Sequence, residues 1–177
     1  MQQVIHNIQT TFALKDLGEL NYFLGIEVSK TATRFYLSQA KYIVDLLAKH
    51  DMTYCSLVPT PMSTRHHFSK GSGPIISNAS QYRSIIRVLH YVTLTRPEIS
   101  LSVNKLNQFL SSLRAEHWEV CKRLLRYLKG YIHFGLHSYH YGTLQVNYFS
   151  AFNWTCDKDD RKSITGYAMY LGSNLVS

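Results

Sequence analysis

No apolar run in the 177 residues approaches the roughly 20 that a helix needs to cross a bilayer, so no membrane association is expected. The opening stretch, MQQVIHNIQTTF, lacks a basic start followed by an apolar block, so no secretory signal is visible. Cytoplasm or nucleus is therefore the expected compartment. Cysteine is scarce: Cys55, Cys121 and Cys156 lie far apart, with no CxxC or Cys-x-x-His pair. That spacing argues against a zinc site and for free thiols. Two glycosylation patterns, at Asn78 and Asn153, carry no weight without a secretory route. Internal repeats and low-complexity tracts are also missing. Acidic residues are few, 11 against 19 Lys and Arg, for a net charge of +8.

What is present suits a globular protein. Hydrophobic residues make up 45% and charged residues 17%, and 13 tyrosines with 8 phenylalanines supply aromatic surface to bury. The charge excess is localised. Residues 1–60 and 144–177 each balance, whereas 61–143 hold eleven Lys and Arg against Glu98, Glu116 and Glu119. A basic block of this kind is the electrostatic footprint of a polyanionic partner, or else an ordinary solvated surface.

Along the chain, Val4, Ile5, Ile8 and Phe12 predict a short amphipathic helix over the first twelve residues. The run 22–28 reads as a strand, and 34–37 as its hairpin partner. Ser38 stands at an N-cap position before a helix carrying Tyr42, Ile43, Leu46 and Leu47, with Asp45 and Lys49 four apart on its outer face. Prolines 59, 61 and 74 and glycines 71 and 73 mark an irregular linker over 53–80. Three helices follow: 82–93, then one opened by Pro97 and running to about Leu110, then 115–129 stopped by Gly130. After Gly142 two strands are expected, beginning at Leu144 and Ile164, on either side of a polar turn at 157–160. A strand pair without a covering helix is marginal, and the ending reads as truncated.

The third helix carries the strongest binding signal. Trp118, Cys121, Leu125 and Leu128 share an apolar face. Lys122, Arg126 and Lys129 form a basic stripe beside it, with Arg123 adjacent. Such a stripe can follow a phosphate backbone and release counterions, although a solvated helix edge has the same pattern. The histidines invite an acid–base or metal reading, but His66 and His67 fall in the linker. His133, His137 and His140 lack an accompanying Cys or carboxylate cluster. Glu116 and His117 read as helix N-terminal charge and packing.

The order of motifs resembles that of copia-type retrotransposon Pol polyproteins. The segments that carry the likeness are FALKDLGELNYFLGIEV (12–28), LSQAKYI (37–43), TPM (60–62), YRS (82–84), LTRPEI (94–99) and KRLLRYLKG (122–130). DDRKS (159–163) followed by TGY (165–167) is similar to the opening of the family's RNase H domain. The resemblance implies an α+β fold in three parts. Residues 1–37 would end the polymerase palm in a β-hairpin, 38–138 would be a mainly helical thumb and connection region, and 139–177 an incomplete RNase H-like sheet. In the intact parent, two magnesium ions held by carboxylates would drive phosphoryl transfer.

Against that pattern, no Tyr-x-Asp-Asp occurs in the chain. Where the family reads Ser-Asp-Ala-Asp-Trp, this chain has Ser150-Ala151-Phe152-Asn153-Trp154. Ala151 offers a methyl group where a metal-binding Asp is expected, and Asn153 keeps shape but loses charge. Arg87 stands where the family usually has Gly. These departures imply a degenerate reverse transcriptase fragment with no catalytic residues and no cofactor of its own. Two alternatives remain open: a residual nucleic-acid-binding module that grips RNA–DNA hybrid or duplex through phosphates, and an incomplete gene model of an active enzyme.

Overall fold

The computed structural model describes residues 18–63, 79–140, 145–153 and 163–176, with isolated positions 4, 8, 12 and 74. The helix expected over the first twelve residues, the His66–His67 pair and the 157–160 turn lie outside the described residues, those isolated positions apart. The fold is mixed α and β. Strands β1 (Tyr22–Phe23), β2 (Ile26–Lys30), β3 (Arg34–Ser38) and β4 (Leu136–Tyr139) form one antiparallel sheet in the order β1-β2-β3-β4. Strands β5 (Val146–Asn153), β6 (Ile164–Leu171) and β7 (Asn174–Leu175) form a second. Between them in sequence lie α1 (Ala40–Lys49), α2 (Ala79–Val92), a 3-10 turn at Pro97–Ile99, α3 (Ser100–Asn107) and α4 (Ala115–Gly130).

The single strand expected at 22–28 is two strands. Phe23 pairs with Ile26 across a two-residue turn at Leu24 and Gly25, both at positive φ, 49° and 84°. Gly25 adopts this conformation without strain, whereas Leu24 does so against its Cβ. The Tyr91 hydroxyl donates to the Leu24 carbonyl and holds the turn against α2. Ser38 ends β3, and its Oγ accepts from the Ala40 N–H at 3.2 Å, while Glu27 Oε1 accepts from the Lys41 N–H at 3.0 Å. The N-cap is thus Gln39, one residue later than the expected Ser38, and it makes no side-chain cap bond. The first amides of α1 are met instead by Ser38 and, from across the sheet, by Glu27. Asp45 and Lys49 form no ion pair with each other among the described residues.

Helical periodicity places the core where expected. Ile43, Leu46 and Leu47 of α1, Ile85, Ile86 and Leu89 of α2, Leu106 of α3, and Leu124, Leu125 and Leu128 of α4 form one buried cluster. Each such side chain contributes about 1.5–3 kcal/mol on leaving water. Arg87 is exposed on the outer side of α2, so its charge is not desolvated. The second of the three helices is shorter than its pattern suggests. Its first turn is the separate 3-10 segment, and α3 ends at Asn107.

β4 was not foreseen, because residues 131–140 read as the tail of the helical region. The strand pairs with β3, setting Tyr36 opposite His137, and Gly135 passes so close to Leu37 that a Cβ there would meet its carbonyl oxygen. Asn174 joins the two sheets. Its Oδ1 accepts from the Tyr139 N–H at 2.6 Å, and its Nδ2 donates to the Tyr139 carbonyl at 2.9 Å.

Candidate nucleic-acid interface

The sequence of α4 dictates which side faces the core. His117, Val120, Cys121, Leu124, Leu125, Tyr127 and Leu128 are buried, and Trp118 is half-buried at the edge. At 100° per residue, this leaves Glu119, Lys122, Arg123, Arg126 and Lys129 on the outer arc. His117 anchors the helix start. It is buried, its ring stacks on Phe109 with centroids 4.0 Å apart, and its Nδ1 accepts from the Arg114 N–H at 3.2 Å. Burial, the main cause, pushes the His117 pKa below the usual histidine value. Burial likewise raises the Cys121 thiol to about 12 and pushes the Tyr82 hydroxyl well above the ordinary tyrosine range. These groups belong to the core, and none faces the basic arc.

The four basic residues singled out by sequence do share one face of α4, but their environments differ. Lys122 Nζ pairs with Glu119 at 3.0 Å and lies 5.8 Å from the Trp118 ring centroid. Arg126 is half-buried and has no hydrogen bond or ion pair among the described residues. Arg123 Nη2 donates to Thr60 Oγ1 at 2.8 Å, and its Nε has no partner among the described residues. Lys129 Nζ donates to the Cys55 carbonyl at 2.7 Å. Two of the four thus reach the segment 55–60, which runs along one edge of the helix. Gly130 lies under the same segment, where an added Cβ would sit 3.9 Å from Leu57 Cβ and from the Val58 carbonyl. Thr60 was not picked out as a site residue. Its signal was the TPM motif, which gave no hint that it would meet α4.

A second polar centre also escaped the sequence reading. Arg96 is 1% exposed, and its guanidinium is bonded at two of its three nitrogens: Nε donates to Glu98 Oε1 at 2.6 Å and Nη1 to the Tyr131 carbonyl at 2.7 Å, while the buried Nη2 has no partner among the described residues. The Tyr127 and Phe134 rings lie 5.7 and 5.6 Å from its central carbon. The neighbouring Thr95 hydroxyl donates to Gln39 Oε1 at 2.8 Å. The LTRPEI motif therefore ties α2, α4 and the β3–α1 junction together.

The remaining positions are dispersed. Ala151 is exposed on β5, with Gly166 opposite it on β6, and the backbone of Asn153 is opposite Ile164. A shallow depression of about 560 Å³ lies on the same sheet, lined by Asn147, Phe149, Ala168, Tyr170 and Gly172. Among the described residues no three His, Cys, Asp or Glu side chains gather as a metal site. His137 packs its ring 4.8 Å from that of Tyr36, and the His133 carbonyl accepts from the Tyr36 hydroxyl. No helix among the described residues is long and apolar enough to cross a membrane.

The family described as reverse transcriptase (RNA-dependent DNA polymerase) matches residues 1–64. The chain is 40% identical over its full length to the Retrovirus-related Pol polyprotein from transposon RE1 of Arabidopsis thaliana, and covers 12% of that protein. It is 35% identical to the corresponding polyprotein from transposon RE2, again over all 177 residues and 12% of the relative. An uncharacterized mitochondrial protein of the same plant is 34% identical over 177 residues, which make up 73% of that protein. The chain therefore spans about one eighth of the polyproteins it matches. No solved structure gives a significant match.

Proposed function

The chain belongs to the reverse transcriptase family of copia-type retrotransposon Pol polyproteins, and from that premise we propose that it is a non-catalytic segment of such an enzyme, able to hold duplex nucleic acid by its phosphates. Residues 1–37 correspond to the end of the palm, 38–138 to the thumb and connection, and 139–177 to the start of an RNase H-like sheet. The observation that carries the binding reading is α4 itself. Its inner face is locked into the core, so Lys122, Arg123 and Arg126 project from a rigid rod on the outer side. Each phosphate neutralised there releases counterions, so binding is sensitive to salt and indifferent to sequence.

Among the described residues no group of three or more His, Cys, Asp or Glu could hold the family's magnesium ions. Tyr-x-Asp-Asp is missing, and the position of an expected metal-binding Asp is Ala151, whose methyl group cannot coordinate a cation. A degenerate family member is the reading that fits both facts.

The test is fluorescence anisotropy of a labelled RNA–DNA hybrid titrated with the purified chain across a salt series. Saturable binding whose log K falls with log[salt] by about 0.9 per phosphate contact is expected. Reversing charge at Lys122, Arg123 and Arg126 should abolish it, and unchanged affinity would overturn the binding reading. Magnesium-dependent primer extension by the same preparation would overturn the non-catalytic one.

A further inference from the structure

The four basic residues of α4 do not do the same work. We propose that Thr60 and Arg123 together form one phosphate seat at the edge of α4, and that Lys129 positions the segment carrying Thr60 and contacts no phosphate. This inference rests on the duplex-binding reading for the seat; the anchor role of Lys129 stands independently of it.

The hydrogen-bond directions carry the first half. Arg123 Nη2 donates to Thr60 Oγ1 at 2.8 Å, so the threonine oxygen acts as acceptor and its own proton points elsewhere. Thr60 is exposed, and its hydroxyl finds no acceptor among the described residues. An exposed hydroxyl with an unspent proton therefore stands beside the Arg123 guanidinium, whose Nε is buried, so that a phosphate would be met by the hydroxyl and the remaining Nη hydrogens. That combination matches the acceptor-only oxygens of a phosphodiester. The segment is pre-shaped for the task. Pro59 and Pro61 flank Thr60, and a residue before proline is confined to extended backbone. Little ordering entropy is then lost when a phosphate arrives.

The second half follows from what Lys129 holds. Its ammonium bonds the Cys55 carbonyl at 2.7 Å from a half-buried position. Swinging it out to a phosphate would strand that carbonyl, which cancels much of the gain. Val58 and Met62 pack on the core cluster further along the segment, whereas at Cys55 the tie to α4 is Lys129. Lys122 and Arg126, which make no bond to the segment, remain as backbone contacts beside the seat.

The experiment uses the full chain in a Cys156→Ser background, with the labelled RNA–DNA hybrid and a thiol reagent as two separate probes. Thr60→Val should weaken hybrid binding about two- to tenfold, the range of one hydrogen bond, without changing the salt slope, and Thr60→Ser should restore it. Arg123→Ala and Arg126→Ala should each reduce the slope by about 0.9. Lys129→Met should leave the slope unchanged but speed labelling of Cys55 by 5,5′-dithiobis(2-nitrobenzoate), while buried Cys121 stays protected. Wild-type affinity in Thr60→Val overturns the seat, and a slope reduced by 0.9 in Lys129→Met overturns the anchor. If the wild-type chain binds no hybrid, the seat falls together with the function proposed above. The Cys55 labelling rate then decides the anchor alone, and an unchanged rate in Lys129→Met overturns it.

Discussion

Arg96 Nη1 donates a 2.7 Å hydrogen bond to the carbonyl of Tyr131, fastening the turn after α2 to the end of α4. The two residues are 35 positions apart in sequence, and the bond is formed by a guanidinium that is 1% exposed. The buried charge is offset by its bonds to Glu98 and the Tyr131 carbonyl and by the Tyr127 and Phe134 rings that lie near it, although Nη2 has no partner among the described residues. The arrangement makes LTRPEI a structural knot between the turn after α2 and the end of α4.

Arg96→Met should therefore destabilise the fold by about 2–4 kcal/mol, through the lost charged hydrogen bonds and the orphaned Tyr131 carbonyl. Arg96→Lys should recover little of this, since a point charge cannot make both bonds of the fork. Urea denaturation midpoints followed by tryptophan fluorescence would measure both.

The turn between β1 and β2 offers a stabilising change. Leu24 sits at φ 49° and is 70% exposed, so its side chain gains little from burial while its backbone is strained. Leu24→Asn creates the Asn-Gly pair that two-residue turns with positive φ prefer, and should add about 0.5–1 kcal/mol. A raised urea midpoint with unchanged slope is the expected result.

Gly135 is needed for contact between strands. A Cβ at this position would run into the Leu37 carbonyl oxygen and approach the Tyr36 ring at 3.0 Å. Gly135→Ala should cost about 1–3 kcal/mol and loosen β4 from β3. Faster hydrogen exchange at the amides paired between Arg34–Leu37 and Leu136–Tyr139 would report it.

Stability should fall as pH drops below the ordinary histidine value. Burial lowers the pKa of His117, so its neutral form is favoured in the fold while the unfolded chain takes up the proton first. The contribution is complete above about pH 6.5 and is lost downward from there toward the lowered folded value. Protonation would also remove the Nδ1 lone pair that accepts from the Arg114 N–H. His50, also lowered mainly by burial, adds in the same direction. Melting temperatures at pH 7.5 and 5.5 should differ less in His117→Gln than in the parent chain.

The second sheet should promote self-association. Val146–Asn153 contains no charged residue or proline, and Tyr148, Phe149 and Phe152 are exposed on an edge strand. Such edges template pairing with another chain. Phe152→Lys should lower concentration-dependent light scattering without altering the helical circular dichroism signal.

Local pattern made much of this legible. Periods of 3.6 marked α1, α2 and α4 and their buried stripes, and the period of two found β3, β5 and β6 to within a few residues. These signals are carried by neighbours in the chain. β4 escaped because a four-residue strand has too short a period to register. The β1–β2 turn escaped because Leu24 conforms to no turn preference and adopts positive φ under the Tyr91–Leu24 bond made in the folded state.

The sequence by itself determined where the charge lies, which helix faces are apolar, the order of the family motifs and the lack of a Tyr-x-Asp-Asp carboxylate pair. All are properties of short stretches. The tertiary structure alone decided which cations on α4 are free and which are bound within the chain. Lys129 meets Cys55 across 74 positions, and Arg123 meets Thr60 across 63. A lysine or arginine looks the same in sequence whether its donors face solvent or a carbonyl. That difference arises when a distant segment is brought against the helix, through packing that no local pattern encodes.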